Sequence, residues 1–296
     1  MLFLLLTGGE PLLRPDFPEI YTALKKLGLM ISVNINGSLI NQEILALFEK
    51  YPPSRVNVSL YGGCNETYRN LCGNAAFDTV ASNIRELRNR NIGVKINCSV
   101  TPDNAADIPA IYSFGQEIGS PVQATTYMFP PVRINGSRYG QAPARFSAEE
   151  AAYWQLVCRE QYMTPQQLAR LSVLPPDQQD ECGRNEGGSM GCRGGRTSFW
   201  LTWDGRMLPC GMFPTPGYCV KELGFDAAWN AVRHEAANIR LPAECTLCSH
   251  RNQCTACAAS CLAESGDPSV TPQYICRLTR HLADLTAKKY GKEEPK

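Results

Sequence analysis

Across 296 residues the chain has almost no charge of either sign to spare: 29 lysines and arginines face 28 acids, a formal net charge of +1. A nucleic-acid binder would show a basic excess, and basic–aromatic interleaving is sparse, so non-specific phosphate binding is excluded as a leading role. No apolar run approaches the length of a membrane-spanning helix. The opening run Met1–Leu6 has no basic residue before it and no small-residue cleavage site after it, which argues against a signal peptide. A reducing cytoplasm is therefore the expected setting, with neither membrane nor nucleic acid as a partner. Histidine is scarce. His234, His250 and His281 are the only three, all in predicted helices or beside the cysteine-rich stretch, and none is read as a general base.

Cysteine is absent before Cys64, yet the chain has 14, more than half of them between Cys210 and Cys276. In a reducing compartment such clustering points to metal rather than to disulfides. Hydrophobic residues at 44% and charged residues at 19% allow a real core.

The first half alternates between two periodicities. Apolar runs suited to strands occur at Leu2–Leu6, Leu29–Ile35, Arg55–Leu60, Val94–Val100 and Pro121–Tyr127. Between them Phe17, Ile20, Tyr21, Leu24 and Leu27 share a helical face, with Asp16 and Glu19 spaced as a capping box and Gly28 as a stop. Further helices are predicted over Asn41–Glu49, through Phe77–Leu87, and through Ile108–Ile118. Strand–helix alternation of this kind implies right-handed βαβ units and a parallel sheet, with chemistry at the C-terminal strand ends. Beyond Tyr127 the texture changes. Helices are predicted at Ala148–Tyr162 and Thr164–Leu171, a glycine-rich loop at Cys182–Arg196, and a hairpin of Thr197–Trp203 and Arg206–Leu208 turning at Asp204-Gly205. Helices near Phe225–Ile239 and Tyr274–Lys288 follow, then a charged tail.

Two motifs carry chemistry. The stronger is Cys245-x2-Cys248-x5-Cys254-x2-Cys257-x3-Cys261, with Cys276 beyond it and Cys192-x12-Gly205-x4-Cys210 before it. A Cys-x2-Cys pair brings two thiolates to one metal centre, as both zinc and iron–sulfur sites require. A single zinc on Cys245, Cys248, Cys254 and Cys257 would leave Cys192, Cys210, Cys261 and Cys276 unexplained. The second motif is Thr7-Gly8-Gly9-Glu10-Pro11 at the end of the first strand. Its glycines let a ligand approach the backbone, and its carboxylate can accept from an ammonium. By itself it also fits a plain βα turn.

Together the motifs resemble the radical S-adenosylmethionine (SAM) superfamily, in the branch with a C-terminal SPASM domain. Val58-Ser59-Leu60-Tyr61-Gly62 and Asn36-Gly37 are similar to strand-end segments of that family. The resemblance implies an α/β chain, a partial (β/α)6 TIM-like barrel lacking its first strand, followed by a small cysteine-rich SPASM domain. The expected divisions are 1–146 for the barrel, 147–181 for connecting helices and linker, 182–288 for the SPASM domain, and 289–296 for a charged, frayed tail. It implies SAM binding by Gly8, Gly9, Glu10, Asn36 and Ser59, with Glu10 on the methionine amine. It also implies two auxiliary 4Fe–4S clusters. Cys245, Cys248, Cys254 and Cys276 would hold one; Cys192 and Cys210, with Cys257 or Cys261 and with Cys182 as a further candidate, would hold the other. Cys64, Cys72, Cys98, Cys158 and Cys219 match nothing; Cys98 and Cys158 are expected to be buried thiols, and Cys64 and Cys72 to lie in a loop.

One departure matters. The family's radical cluster needs Cys-x3-Cys-x2-Cys after the first strand, and no such spacing occurs in this sequence. The expectation is a family member whose N-terminal part is missing. In its intact form it would be an oxidoreductase or peptide maturase: a 5′-deoxyadenosyl radical abstracts hydrogen from a peptide or protein substrate, with electrons from a donor such as a flavodoxin or ferredoxin. The alternatives are a non-catalytic iron–sulfur module that carries electrons or docks a peptide, and a structural zinc protein.

Overall fold

A computed structural model describes residues 2–132, 139–142, 144–171, 190 and 192–291. They form two compact units, Met1–Tyr127 and Met128–Lys296. The sequence division at 146 falls inside the second unit.

The first unit is a five-stranded parallel sheet in the order β1 (Phe3–Leu6), β2 (Met30–Ile35), β3 (Arg55–Ser59), β4 (Val94–Ser99), β5 (Val122–Thr125). Its crossover helices are α1 (Phe17–Lys26), α2 (Gln42–Lys50), the pair α3 (Asn65–Cys72) and α4 (Phe77–Asn89), and α5 (Ile108–Glu117). Sequential order with every pair parallel is the topology of a partial TIM-like barrel.

Register divides the sheet chemically. Val33 pairs with Val56, Val56 with Val94, Val58 with Ile96, and Cys98 with Ala124, so one face is apolar. The residues between them share the other face: Asn34 pairs with Asn57, Asn57 with Lys95, Ser59 with Asn97, and Ser99 with Thr125. The apolar face joins Tyr21, Phe48, Ile84, Leu87 and Ile111 in a core where none of these is more than 1% exposed. Full burial of each such side chain is worth roughly 1.5–3 kcal/mol.

Local signals hold with some exceptions. Asn41 caps α2, its Oδ1 accepting from the Ile44 N–H at 2.9 Å, and Gly28 and Gly73 take positive φ after α1 and α3. The capping box expected at Asp16 and Glu19 does not form. Arg14 takes both Asp16 oxygens instead, at 2.7 and 2.8 Å, and Asp16 makes no side-chain cap. Cys64 and Cys72, expected in a loop, bracket α3: Cys64 is its N-cap and Cys72 its last residue.

The second unit begins with α6 (Ala148–Glu160), capped by a reciprocal Ser147–Glu150 box, and α7 (Pro165–Leu171). A three-stranded antiparallel sheet follows, β6 (Trp200–Leu201), β7 (Arg206–Leu208) and β8 (Tyr218–Cys219), where the sequence predicts only a hairpin. Next come α8 (Val220–Leu223), α9 (Phe225–Asn238), α10 (Ala243–Thr246), α11 (Ala258–Ser265) and α12 (Gln273–Tyr290). Met207, Ala228 and Val232, with Phe199, Tyr218 and Trp229 around them, hold α9 on the small sheet. Helix α12 lies along α6, and the Arg145 guanidinium forks onto Glu264 of α11 at 2.6 and 3.2 Å while covering the Tyr274 ring at 3.8 Å. The tail expected to fray from residue 289 starts as helix: Lys289 and the Tyr290 hydroxyl both reach Glu160 at 2.8 Å. No helix of the described residues is long and apolar enough to cross a membrane.

Candidate functional site

The C-terminal ends of β1, β2 and β3 gather the expected cofactor residues. Glu10 caps the turn that follows β1, its Oε1 accepting the Leu12 N–H at 3.1 Å and its Oε2 accepting the Asn36 N–H at 2.6 Å. Ile35 pairs with Val58, so Asn36 and Ser59 come next on neighbouring strands. Asn36 turns its own amide oxygen to the backbone N–H and hydroxyl of Ser38, both at 2.8 Å. That makes Asn36 a positioning residue: its backbone fixes Glu10 and its side chain fixes the loop. Gly37 needs to be glycine, with φ at 79° and an added Cβ within 2.7 Å of Val58. Gly8 and Gly9 are different. A Cβ on either would meet nothing within 4 Å, so their open side leaves room for a ligand against the backbone. A carboxylate that keeps free lone pairs, two open glycines and a strand-end serine suit an amino-acid ammonium and a ribose.

Buried ties hold the next strand ends. Asn104, 1% exposed, donates to Tyr61 O at 2.9 Å and Ser99 O at 3.0 Å and accepts from the Thr101 N–H at 2.8 Å. The Gly63 N–H donates to Asp107 at 2.7 Å. Neither role is readable from the sequence, because Asn104 and Asp107 sit in an ordinary turn.

In the second unit, Cys245, Cys248, Cys254 and Cys276 line a single cavity together with His250, Arg251, Thr279 and Arg280. Three elements bring them there: α10 supplies Cys245, the loop beyond it Cys248 and Cys254, and the first turn of α12 Cys276. Burial, then the nearby thiols of Cys276 and Cys254, push Cys245 up to about 11. Burial and Cys254 likewise raise Cys276. The thiols thus disfavour one another's charge, a penalty that a cationic metal centre reverses.

Cys192, Cys210 and Cys257 lie elsewhere, packed against an apolar cluster of Met190, Phe213, Ala236, Ala258, Ala259 and Leu262. Three backbone N–H groups donate to sulfur: Gly194 to Cys192 at 3.3 Å, Met212 to Cys210 at 3.4 Å and Ala256 to Cys254 at 3.4 Å. Cys257 stands at the N-cap of α11, where its backbone N–H donates to the Ser260 hydroxyl at 2.9 Å. Cys261 is fully buried; burial first, then Cys245, Cys257 and Cys254, holds its thiol well above the ordinary range. Cys182 lies outside the described residues. Cys219 pairs with Arg206 in the small sheet, and Cys98 and Cys158 are buried at 2% and 0%.

Among the described residues no three His, Cys, Asp or Glu side chains converge closely enough to hold a single metal ion. Tetrahedral zinc would draw its sulfurs to about 2.3 Å from one centre. Four thiols lining one cavity are also the donor set that a four-iron cluster takes, one sulfur to each iron. Arg251 and Arg280 belong to this site too. Arg280 lies one turn beyond Cys276 on α12, a spacing that puts both on one helix face.

Residues 3–115 match the radical SAM superfamily. Over those residues the chain carries a radical SAM superfamily domain. AdoMet-dependent heme synthase of Methanosarcina barkeri is 26% identical over 282 residues, which is 89% of this chain and 79% of that protein. Among solved structures, anSMEcpe with bound AdoMet aligns with a TM-score of 0.72 at 16% identity, over 97% of this chain and 80% of that one. Streptococcus suis SuiB bound to S-adenosylmethionine aligns at 0.69 and 16% identity, over 93% and 66%. SuiB bound to its precursor peptide SuiA gives 0.66 at 15%, over 93% and 65%. These structural likenesses establish a common fold.

Proposed function

We propose that this radical SAM chain contributes the SAM-holding strand ends and two auxiliary 4Fe–4S sites of a SPASM-type oxidoreductase or maturase acting on a peptide-like substrate. The observation that carries the reading is the single cavity lined by Cys245, Cys248, Cys254 and Cys276, drawn from three separate elements. When bound, SAM and a reduced cluster supply hydrogen-atom abstraction. The chain's own part is positioning. Glu10 accepts the cofactor's ammonium, Gly8 and Gly9 admit its backbone-hugging portion, and Ser59 meets its ribose. The hydrogen-bonding face of the sheet, with Asn34, Asn57 and Asn97, orients the substrate. Cys192, Cys210 and Cys257, with a fourth ligand, hold the second cluster.

SuiB's binding of a precursor peptide supports the peptide class. A tetrapyrrole substrate is the second reading, favoured by the 26% identity to a heme synthase across most of both chains. The test is metal analysis of the chain after anaerobic reconstitution. About eight irons and as many acid-labile sulfides, with broad visible absorption, are expected of two four-iron clusters. One zinc and no sulfide would overturn the proposal.

A further inference from the structure

The two thiol sets of the second unit sit in opposite surroundings. Around Cys245, Cys248, Cys254 and Cys276 the cavity wall carries two guanidinium groups, Arg251 and Arg280, together with His250, and no carboxylate. Arg251 is only 9% exposed, and its Nη1 is anchored on the Ala256 carbonyl at 2.8 Å. Its charge is therefore held in place and poorly screened by water. Cys192, Cys210 and Cys257 instead pack against methionine, phenylalanine, alanine and leucine side chains.

A four-iron cluster on four thiolates is an anion, and reduction adds one further negative charge. A fixed cation nearby favours that added charge; an apolar shell disfavours it. We propose that Arg251 and Arg280 raise the reduction potential of the cluster at Cys245, Cys248, Cys254 and Cys276, making it the more easily reduced of the two auxiliary centres. This rests on the iron–sulfur reading above. Arg251, buried and anchored, carries the larger share. Arg280, on the exposed side of α12, carries the smaller.

The experiment is a dithionite titration of the anaerobically reconstituted full chain, followed by electron paramagnetic resonance, with iron and sulfide counted on the same samples. Arg251→Gln is expected to shift the reduction equilibrium of the higher-potential signal about tenfold toward the oxidised form, which is about 59 mV for a one-electron couple. Arg280→Gln shifts it the same way by less, and Arg251→Lys, which keeps the charge, restores most of the loss. Arg233→Gln, on α9 outside the cavity, leaves it unmoved. A full cluster complement with unmoved midpoints in both glutamine variants overturns the proposal and leaves the cluster reading standing. So does a shift confined to the lower-potential signal. A wild-type chain without iron and sulfide overturns both.

Discussion

The Oε2 atom of Glu10 accepts the backbone N–H of Asn36 at 2.6 Å, which ties the loop after β1 to the end of β2. The same carboxylate takes the Leu12 N–H with its other oxygen. One side chain therefore shapes the turn and offers negative charge at the mouth of the sheet. In Glu10→Gln, one of these N–H groups faces an amide NH2 in place of an oxygen. Hydrogen bonds to a charged acceptor are worth about 1.5–3 kcal/mol. SAM affinity, measured by equilibrium dialysis, is expected to fall at least about tenfold, with the far-ultraviolet circular dichroism unchanged. Unchanged affinity would remove Glu10 from the cofactor site.

Arg145 and Glu264 form an ion pair whose side chains are 11% and 5% exposed. Removing one member of a buried pair strands the other, a loss of about 3–5 kcal/mol. Arg145→Ala should lower the thermal midpoint by several degrees. Arg145→Lys should recover little, because a single ammonium cannot reproduce the fork or the stacking on Tyr274. A full rescue by lysine would show that charge alone matters there.

Cys257 and Cys261 are separated by one helical turn but differ in environment. Cys257 shares its apolar cluster with Cys192 and Cys210, whereas Cys261 is fully buried with its thiol strongly raised. Cys257→Ser is expected to lose about half of the bound iron. Cys261→Ala should retain the iron and lose only packing, about 1 kcal/mol for the deleted atom. The reverse pattern in iron counts would reassign the ligand.

Cys64 and Cys72 are both exposed, and their thiols shift in opposite directions. The Thr67 hydroxyl, at 3.4 Å, and backbone donors at the start of α3 lower Cys64, while burial raises Cys72. A lower value means more thiolate at a given pH. Limited iodoacetamide at pH 7.5 should therefore mark Cys64 faster than Cys72 by peptide mass spectrometry. Equal rates would contradict the Thr67 contact.

All five strands of the parallel sheet were legible because each is an apolar-rich run bounded by turn residues. Helix α3 was not, since only Tyr68 of its eight residues is buried and no apolar stripe marks it. Strand β8 is two residues long, too short for any periodicity to show. The helix start at Asp16 misled for a local reason: Arg14, two residues away, outcompetes the backbone for the carboxylate. At the strand ends, Glu10 was readable as a carboxylate after two glycines. Its partnership with Asn36 needs the β1–β2 pairing and was not. In the cysteine-rich unit, spacing pointed to metal, but the grouping of Cys276 with Cys245, Cys248 and Cys254, 22 to 31 positions earlier, came only through family resemblance. The arginines around that cavity carry no motif at all.

The alternation of the parallel sheet separates what the protein is from what it touches. Val56, Val58 and Ile96 point to the helices, and a change there disturbs a close-packed interior. Asn34, Ser59, Asn97 and Gln123 belong to the opposite face, where a swap between polar side chains leaves that interior alone. Polar-for-polar changes at Ser59, Asn97 or Gln123 are therefore separable from the packing of the core, while at Asn34 the cost is the bond it accepts from buried Asn57.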